Sequence, residues 1–113
     1  MNEMKLDGYR ARIAYDPEID LFRGEILGLN GSADFFGKSP AELRREFRKS
    51  LHAYLEVCRE KNLPPFKAYS GRFNLRIPPG LHSEIAMRAS ADDKSINQWV
   101  KEALERSLTD RAP

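Results

Sequence analysis

Residues 72–77 read Arg72-Phe73-Asn74-Leu75-Arg76-Ile77, and polar and apolar side chains alternate strictly along them. A period of two residues is typical of a β-strand with one polar and one apolar face. A lone short strand can neither bury its apolar face nor pair its backbone groups. No partner strand is predicted nearby, because helical periodicity follows. We therefore expect a second copy of the chain to supply the same strand and form a two-stranded ribbon.

The polar face of this ribbon carries side chains that can recognise DNA bases. A two-stranded β-ribbon fits the major groove of DNA, where arginine pairs with guanine and asparagine with adenine. We therefore predict base contacts from Arg72, Asn74 and Arg76. The opposite face would form part of a core shared between two chains.

Two helices are predicted after the ribbon strand. Pro78-Pro79-Gly80 ends the strand and can open a helix that runs to about Asp92. The pair Asp93-Lys94 forms a turn, and Ser95 is an N-cap candidate for the second helix. A strand followed by two helices makes a ribbon-helix-helix unit of about 40 residues, which is too small to be stable as one copy. We expect an obligate two-fold dimer whose shared core contains Phe73, Leu75, Ile77 and Trp99.

The first half of the chain is predicted to be a small sheet covered by one helix. Alternation from Tyr9 to Tyr15 and from Phe22 to Ile26 indicates two strands, joined by a turn at residues 16–20. A weaker third strand is predicted over residues 32–37. Ser39-Pro40-Ala41-Glu42 is a helix-capping sequence, and the helix should end near Asn62 because two prolines follow.

The predicted fold class is α+β with two domains. An N-terminal β-β-β-α domain spans residues 1–61, a linker spans 62–71, and the ribbon-helix-helix domain spans 72–113. The 113 residues are 32% charged and 41% hydrophobic, which indicates a soluble globular protein. The net charge of +2 is too small to indicate nucleic-acid binding by itself.

Composition also argues for the cytoplasm. The single cysteine, Cys58, excludes an internal disulfide and fits a reducing compartment. The N-terminal residues lack the apolar core of a signal peptide, and no apolar run is long enough to span a membrane. We expect a cytoplasmic protein that does not bind membranes.

No motif for catalysis, metal binding or cofactor binding stands out. His52, His82 and Cys58 lack the spacing of metal ligands, and no Gly-x-Ser-x-Gly sequence is present. The basic run in the first helix is interleaved with glutamates, as in a solvated helix face. We expect no catalytic residue, no metal and no cofactor. The carboxylates interpreted as turn and surface residues are Asp7, Asp16, Glu18, Asp20 and Asp34.

The C-terminal half resembles the ribbon-helix-helix repressors of the Arc and MetJ type. The matching residues are Arg72-Phe73-Asn74-Leu75-Arg76-Ile77-Pro78, followed by Lys94-Ser95-Ile96-Asn97. The resemblance implies base contacts by the three polar ribbon residues. It also implies that the start of the second helix binds a DNA phosphate, with contacts from Lys94, Ser95, Ile96 and Asn97.

The whole chain, from about Gly8 to Leu108, resembles HicB-type antitoxins that carry such a C-terminal domain. The matching segments are Tyr15–Glu18, Gly24–Leu29, Gly37–Ser39 with Glu42-Leu43, Tyr54-Leu55 and Tyr69–Arg76. The resemblance implies that the N-terminal half is a truncated RNase H-like fold without an active site. It further implies binding and neutralisation of a HicA-type RNA-cleaving toxin, together with repression of the operon from its operator DNA.

Three hypotheses remain open at the level of sequence. The first is a dimeric autorepressor, forming dimers or higher oligomers, that is also an antitoxin. The second is an orphan transcriptional regulator with no toxin partner. The third is a nuclease that uses carboxylates such as Asp16 and Asp34 to bind divalent metal ions; we expect that the protein is not an enzyme.

Overall fold

The computed structural model describes residues 2–109, which form an antiparallel sheet followed by three helices. The strands are β1 (Asn2–Leu6), β2 (Tyr9–Asp16), β3 (Leu21–Ile26) and β4 (Asp34–Gly37), in that order across the sheet. The helices are α1 (Pro40–Lys61), α2 (Pro79–Ala91) and α3 (Ile96–Thr109). The predicted α+β class is therefore confirmed. The predicted domain ends at residues 1 and 113 lie outside the described range.

The prediction of three strands in the N-terminal half is wrong, because β1 precedes them. This strand pairs with β2 in register from Leu6 opposite Tyr9 to Asn2 opposite Ile13. The two-residue turn between them has positive φ at both positions, 50° at Asp7 and 84° at Gly8. A type I′ hairpin turn requires this geometry and favours Asp-Gly. Asp7-Gly8 is therefore a local signal for a hairpin, and the prediction of three strands does not take it into account.

Helix α1 forms where the sequence predicts it. The Ser39 side chain accepts a hydrogen bond from the backbone N–H of Glu42 at 3.2 Å, and Asn62 ends the helix with φ of 56°. Strand β4 is shorter than predicted and begins at Asp34.

The core lies between α1 and one face of the sheet. Buried side chains of the strands meet those of the helix, and the rings of Phe35 and Phe47 stack with centroids 4.8 Å apart. Gly24 leaves room for that stack, because a β-carbon at this position would overlap the Phe35 ring. The buried apolar side chains of this core are Ala11, Ile26, Leu29, Phe35, Leu43, Phe47 and Leu51.

Part of the predicted linker packs against the sheet. The backbone N–H of Lys67 donates to the Gly28 carbonyl at 2.9 Å, and the Phe66 ring stacks on Tyr9 at 4.6 Å. The Tyr54 hydroxyl donates to the Pro65 carbonyl at 2.9 Å. Residues 63–67 are thus fixed by tertiary contacts, which a sequence pattern of prolines does not reveal.

Contacts divide the chain between Gly71 and Arg72 into an N-terminal unit and a C-terminal unit. In the C-terminal unit, α2 and α3 pack on each other, and the turn between them has Asp93 at φ 56°. Residues 72–78 have no regular secondary structure in the single chain. A strand is assigned only when its backbone groups are paired, so the predicted ribbon strand needs a second chain and stays a prediction. Among residues 2–109, no helix combines the length and apolarity of a membrane span.

Candidate nucleic-acid interface

The segment predicted to form the ribbon is exposed along both of its faces. Phe73 is 75% exposed and Leu75 is 64% exposed, whereas Ile77 is half-buried. The three polar residues, Arg72, Asn74 and Arg76, are also exposed. Large apolar side chains at alternate positions of one segment are rarely all left exposed to solvent. The single chain therefore leaves the apolar face of this segment without cover.

The two helices of the C-terminal unit also lack a filled core. Among residues 72–109, the only fully buried side chain is that of Ala89. Trp99, which we predicted to lie in a shared core, is half-buried. Several apolar side chains of both helices are exposed: Leu81, Met87, Ile96, Leu104 and Leu108. Among its described residues, this unit therefore buries little apolar surface by itself.

The start of α3 has the cap that the sequence predicts. The Ser95 hydroxyl accepts a hydrogen bond from the backbone N–H of Gln98 at 3.0 Å. Ile96 and Asn97 are exposed in the first turn. The N–H groups of a first helical turn have no partner within the helix and are suited to bind an anion such as phosphate.

Lys94, also predicted to contact phosphate, is held in an ion pair. Its ammonium group lies 2.8 Å and 3.2 Å from the two carboxylate oxygens of Glu102. The hydrogen bond from Lys94 lowers the pKa of Glu102. This pair bridges the turn between α2 and α3 and is eight residues apart, so helical spacing alone does not reveal it. A phosphate that binds Lys94 has to share its ammonium group with Glu102.

The carboxylates of the N-terminal unit that the nuclease hypothesis would use already have partners. Asp34 accepts a hydrogen bond from Arg23 Nε at 3.1 Å, and this contact raises the pKa of Arg23. Asp16 accepts from the backbone N–H of Glu18 at 3.0 Å, as predicted for the turn. Within the described part of the chain, no group of three or more histidine, cysteine or acidic side chains could hold a metal ion.

Several aromatic rings of the N-terminal unit are exposed, among them Tyr15, Phe22 and Phe36. Tyr15 and Phe22 contact each other edge to face, 5.9 Å apart, beside the turn of residues 16–20. The Tyr15 hydroxyl donates to Asp20 at 2.6 Å, which raises the pKa of Tyr15. Phe36, on β4, is 39% exposed on the opposite face of the sheet. Such rings are common anchors of protein interfaces.

Comparison with known proteins gives one match. The model of the HicB family matches residues 54–104, which include the end of α1, the predicted ribbon, α2 and most of α3. No curated protein and no solved structure matches significantly. The matched residues form just under half of the chain and omit the sheet. The family match supports a HicB-type protein and is consistent with an antitoxin role.

Proposed function

We propose that this protein is an antitoxin and transcriptional autorepressor of the HicB type. Two chains form a ribbon-helix-helix dimer that binds operator DNA in the major groove, and the N-terminal unit binds and neutralises a HicA-type RNA-cleaving toxin. The observation that carries the proposal is the exposure of Phe73 and Leu75 in a segment whose alternate residues are Arg72, Asn74 and Arg76. The proposal includes no catalytic step, and action on DNA places the protein in the cytoplasm.

A second chain supplies what the C-terminal unit lacks. Pairing of residues 72–77 from two chains satisfies their backbone groups and turns both apolar faces inward. The exposed apolar side chains of α2 and α3 become the rest of the shared core. The three polar residues of each strand then lie on one outer face, with a width that fits the major groove.

The start of α3 would position this face on the DNA. In this arrangement, the exposed N–H groups of Ile96 and Asn97 bind a phosphate, while Ser95 keeps the helix capped. Lys94 contributes charge while it stays close to Glu102. Phosphate contacts set the register of a protein on DNA, and base contacts provide sequence specificity.

The antitoxin half of the proposal depends on the N-terminal unit. This unit has its own buried core and needs no second copy to fill it. It resembles a truncated RNase H-like sheet and helix, and it carries the exposed Tyr15–Phe22 pair. A unit that is folded by itself and exposes aromatic rings is suited to bind another protein.

The DNA-binding half is tested by fluorescence anisotropy with the DNA upstream of the gene. A triple Arg72→Ala/Asn74→Ala/Arg76→Ala variant should keep only weak, salt-sensitive binding, because each base contact contributes about 1–3 kcal/mol of discrimination. The control, Arg44→Ala/Arg45→Ala, also removes two positive charges, but from exposed positions on α1. It should retain sequence-specific binding.

Both variants must first be shown to be dimers by sedimentation. Equal binding by wild type and the dimeric triple variant at two salt concentrations would overturn base recognition by the ribbon. The C-terminal unit would then serve for dimerisation, and the function of the protein would depend on its N-terminal unit.

The antitoxin half is tested by co-expression with the small protein encoded next to this gene. We expect a stable complex and relief of growth arrest when the two proteins are produced together. Specific DNA binding with neither a complex nor rescue would instead support an orphan transcriptional regulator.

A further inference from the structure

Lys94 is the one charged residue among the four that we predict to contact a DNA phosphate. The other three, Ser95, Ile96 and Asn97, can offer only neutral groups. Because the net charge of the chain is only +2, attraction to DNA depends on where individual cations lie. The position of the Lys94 ammonium group therefore decides how much this lysine contributes to DNA affinity.

The backbone of Lys94 is fixed at the end of α2, whereas its side chain reaches α3. The Lys94 N–H donates to the Ala89 carbonyl at 2.9 Å. The ammonium group lies 2.8 Å and 3.2 Å from the two carboxylate oxygens of Glu102. Since both oxygens contact the ammonium group, the lysine side chain has a defined direction in the single chain.

This direction follows the side of α3 and not the space beyond its N-terminal end. Helix α3 begins at Ile96, and Glu102 comes six residues later, so its Cα lies about 9 Å further along the helix axis. The Glu102 carboxylate also interacts with the side chain of Gln98, one turn before it on the same helix. A phosphate bound by the first N–H groups would lie beyond the helix end. The ion pair therefore directs the lysine charge away from that phosphate.

The ion pair can exchange partners without leaving a buried charge behind. The side chains of Lys94 and Glu102 are 38% and 30% exposed, so water can reach both of them. Arg106 lies one turn after Glu102 and also favours its charged form. Because partly exposed ion pairs are weak, a DNA phosphate can compete with the carboxylate for the ammonium group.

We propose that Glu102 is a built-in competitor of DNA, whose carboxylate occupies Lys94 in place of a phosphate and lowers the affinity of the protein for DNA of any sequence. The inference rests on the proposed function, because it requires a phosphate at the start of α3. A phosphate contact carries no base information, so release of Lys94 strengthens binding to operator and unrelated DNA alike. Glu102 thus limits binding to unrelated DNA, while the ribbon provides sequence preference.

Fluorescence anisotropy with the full chain tests this competition on upstream and unrelated DNA duplexes. Glu102→Gln removes the carboxylate charge and keeps the size of the side chain. We expect it to bind both duplexes about tenfold more tightly, because each chain of the dimer loses a competitor worth roughly threefold. The slope of log affinity against log salt concentration should steepen by about one for each lysine that gains a phosphate.

The control for the change in charge is Glu105→Gln. Glu105 is exposed on the same helix and forms no ion pair within the described part of the chain. Its substitution should change the affinity by less than about twofold, because salt screens an exposed charge that does not contact DNA. Sedimentation first sets a protein concentration at which all variants share the assembly state of wild type.

Lys94→Gln shows whether the effect of Glu102 passes through this lysine. Alone, it should weaken binding by about twofold, because Glu102 already competes for its charge. In the Glu102→Gln background it should weaken binding by about tenfold and remove the gain, since the two residues are coupled. A gain from Glu102→Gln that persists without Lys94 would overturn the proposal, because the carboxylate would then act only by repelling DNA. Weaker binding by Glu102→Gln would also overturn it, because the ion pair would then position Lys94 for the phosphate.

The failure of this inference can be told apart from the failure of the proposed function. Specific binding of wild type to upstream DNA, with equal affinities of Glu102→Gln and Glu105→Gln, would overturn the inference and leave the repressor in place. A wild type without preference for upstream DNA would overturn the repressor. The comparison of the two variants on unrelated duplexes would then still decide whether Glu102 competes with phosphate for Lys94.

Discussion

The two units of this protein differ in how completely each one buries its own apolar side chains. The N-terminal unit encloses Phe47 entirely and stacks it on Phe35, and most of its core residues are buried. The C-terminal unit buries only Ala89 among its described residues and leaves Phe73 and Leu75 in solvent. The comparison teaches that one unit fills its core within a single chain, whereas the other leaves most of its large apolar side chains partly or fully exposed. Stability of the first should not depend on protein concentration, and stability of the second should.

The largest expected effect comes from Leu75→Ala. In the proposed dimer this side chain is buried twice, once from each chain, and truncation costs about 2–5 kcal/mol per site. The variant should dissociate at concentrations at which wild type remains a dimer, and it should melt at a lower temperature than wild type. Sedimentation together with thermal melts at several concentrations measures both effects.

Asn74→Ala is the matched control for that substitution. It changes the adjacent residue on the opposite face of the same segment. It should leave the dimer intact while it weakens sequence-specific binding to DNA. A Leu75→Ala protein that remains a dimer of unchanged stability would contradict the ribbon.

Phe47→Ala should destabilise the N-terminal unit by about 3–5 kcal/mol, because it removes a fully buried ring and leaves a cavity. The loss should be the same at all protein concentrations, which distinguishes it from the loss in Leu75→Ala. Urea denaturation followed by circular dichroism measures it. Val57→Ala, at an exposed position on the same helix, should change stability by less than about 0.5 kcal/mol. A concentration-dependent loss in Phe47→Ala would show that this unit, too, is completed by another chain.

Substitutions of Ser95 separate helix capping from phosphate binding. Ser95→Ala should cost about 1 kcal/mol, because the N–H of Gln98 loses its acceptor. Ser95→Asn and Ser95→Asp both keep a capping side chain and should retain that stability. Only Ser95→Asp should then weaken binding to all DNA sequences alike, because its charge repels phosphate. Equal DNA affinity of the Asn and Asp variants would exclude a phosphate at this helix start.

Glu102→Gln should have the smallest effect, and the effect should depend on pH. The pKa of Glu102 is lowered in the folded chain by Lys94, so the ion pair stabilises the fold at pH values above the ordinary glutamate pKa. This contribution is lost as the pH falls through the lowered pKa. The melting temperatures of wild type and Glu102→Gln should therefore differ slightly at neutral pH and converge in acid. Glu105→Gln, which removes a charge from the same helix, is the control for the loss of charge itself.

The sequence predicted the elements that depend on local pattern. The cap at Ser39, the extent of α1 and the cap at Ser95 follow from residues within one turn of the helix start or end. Strand β1 was missed although Asp7-Gly8 is a local hairpin signal.

Contacts between distant residues could not be predicted in the same way. The stacking of Phe66 on Tyr9 and the ion pair of Lys94 with Glu102 depend on how elements pack, which no periodicity encodes. That Arg72, Asn74 and Arg76 contact DNA bases remains a prediction from the chemistry of these residues. In the single chain, residues 72–77 form no regular strand.

The order of the strands has a consequence for how a new chain folds. Each strand of the sheet pairs with its neighbour in sequence, from β1 through β4, and α1 follows directly. Sheets built from such local pairings fold quickly, and N-terminal domains fold first during synthesis. Formation of the proposed ribbon would instead wait for a second chain and slow with dilution. In the proposed function, a nascent chain would thus present its toxin-binding unit before it could repress transcription, so protection from the toxin would precede control of the operon.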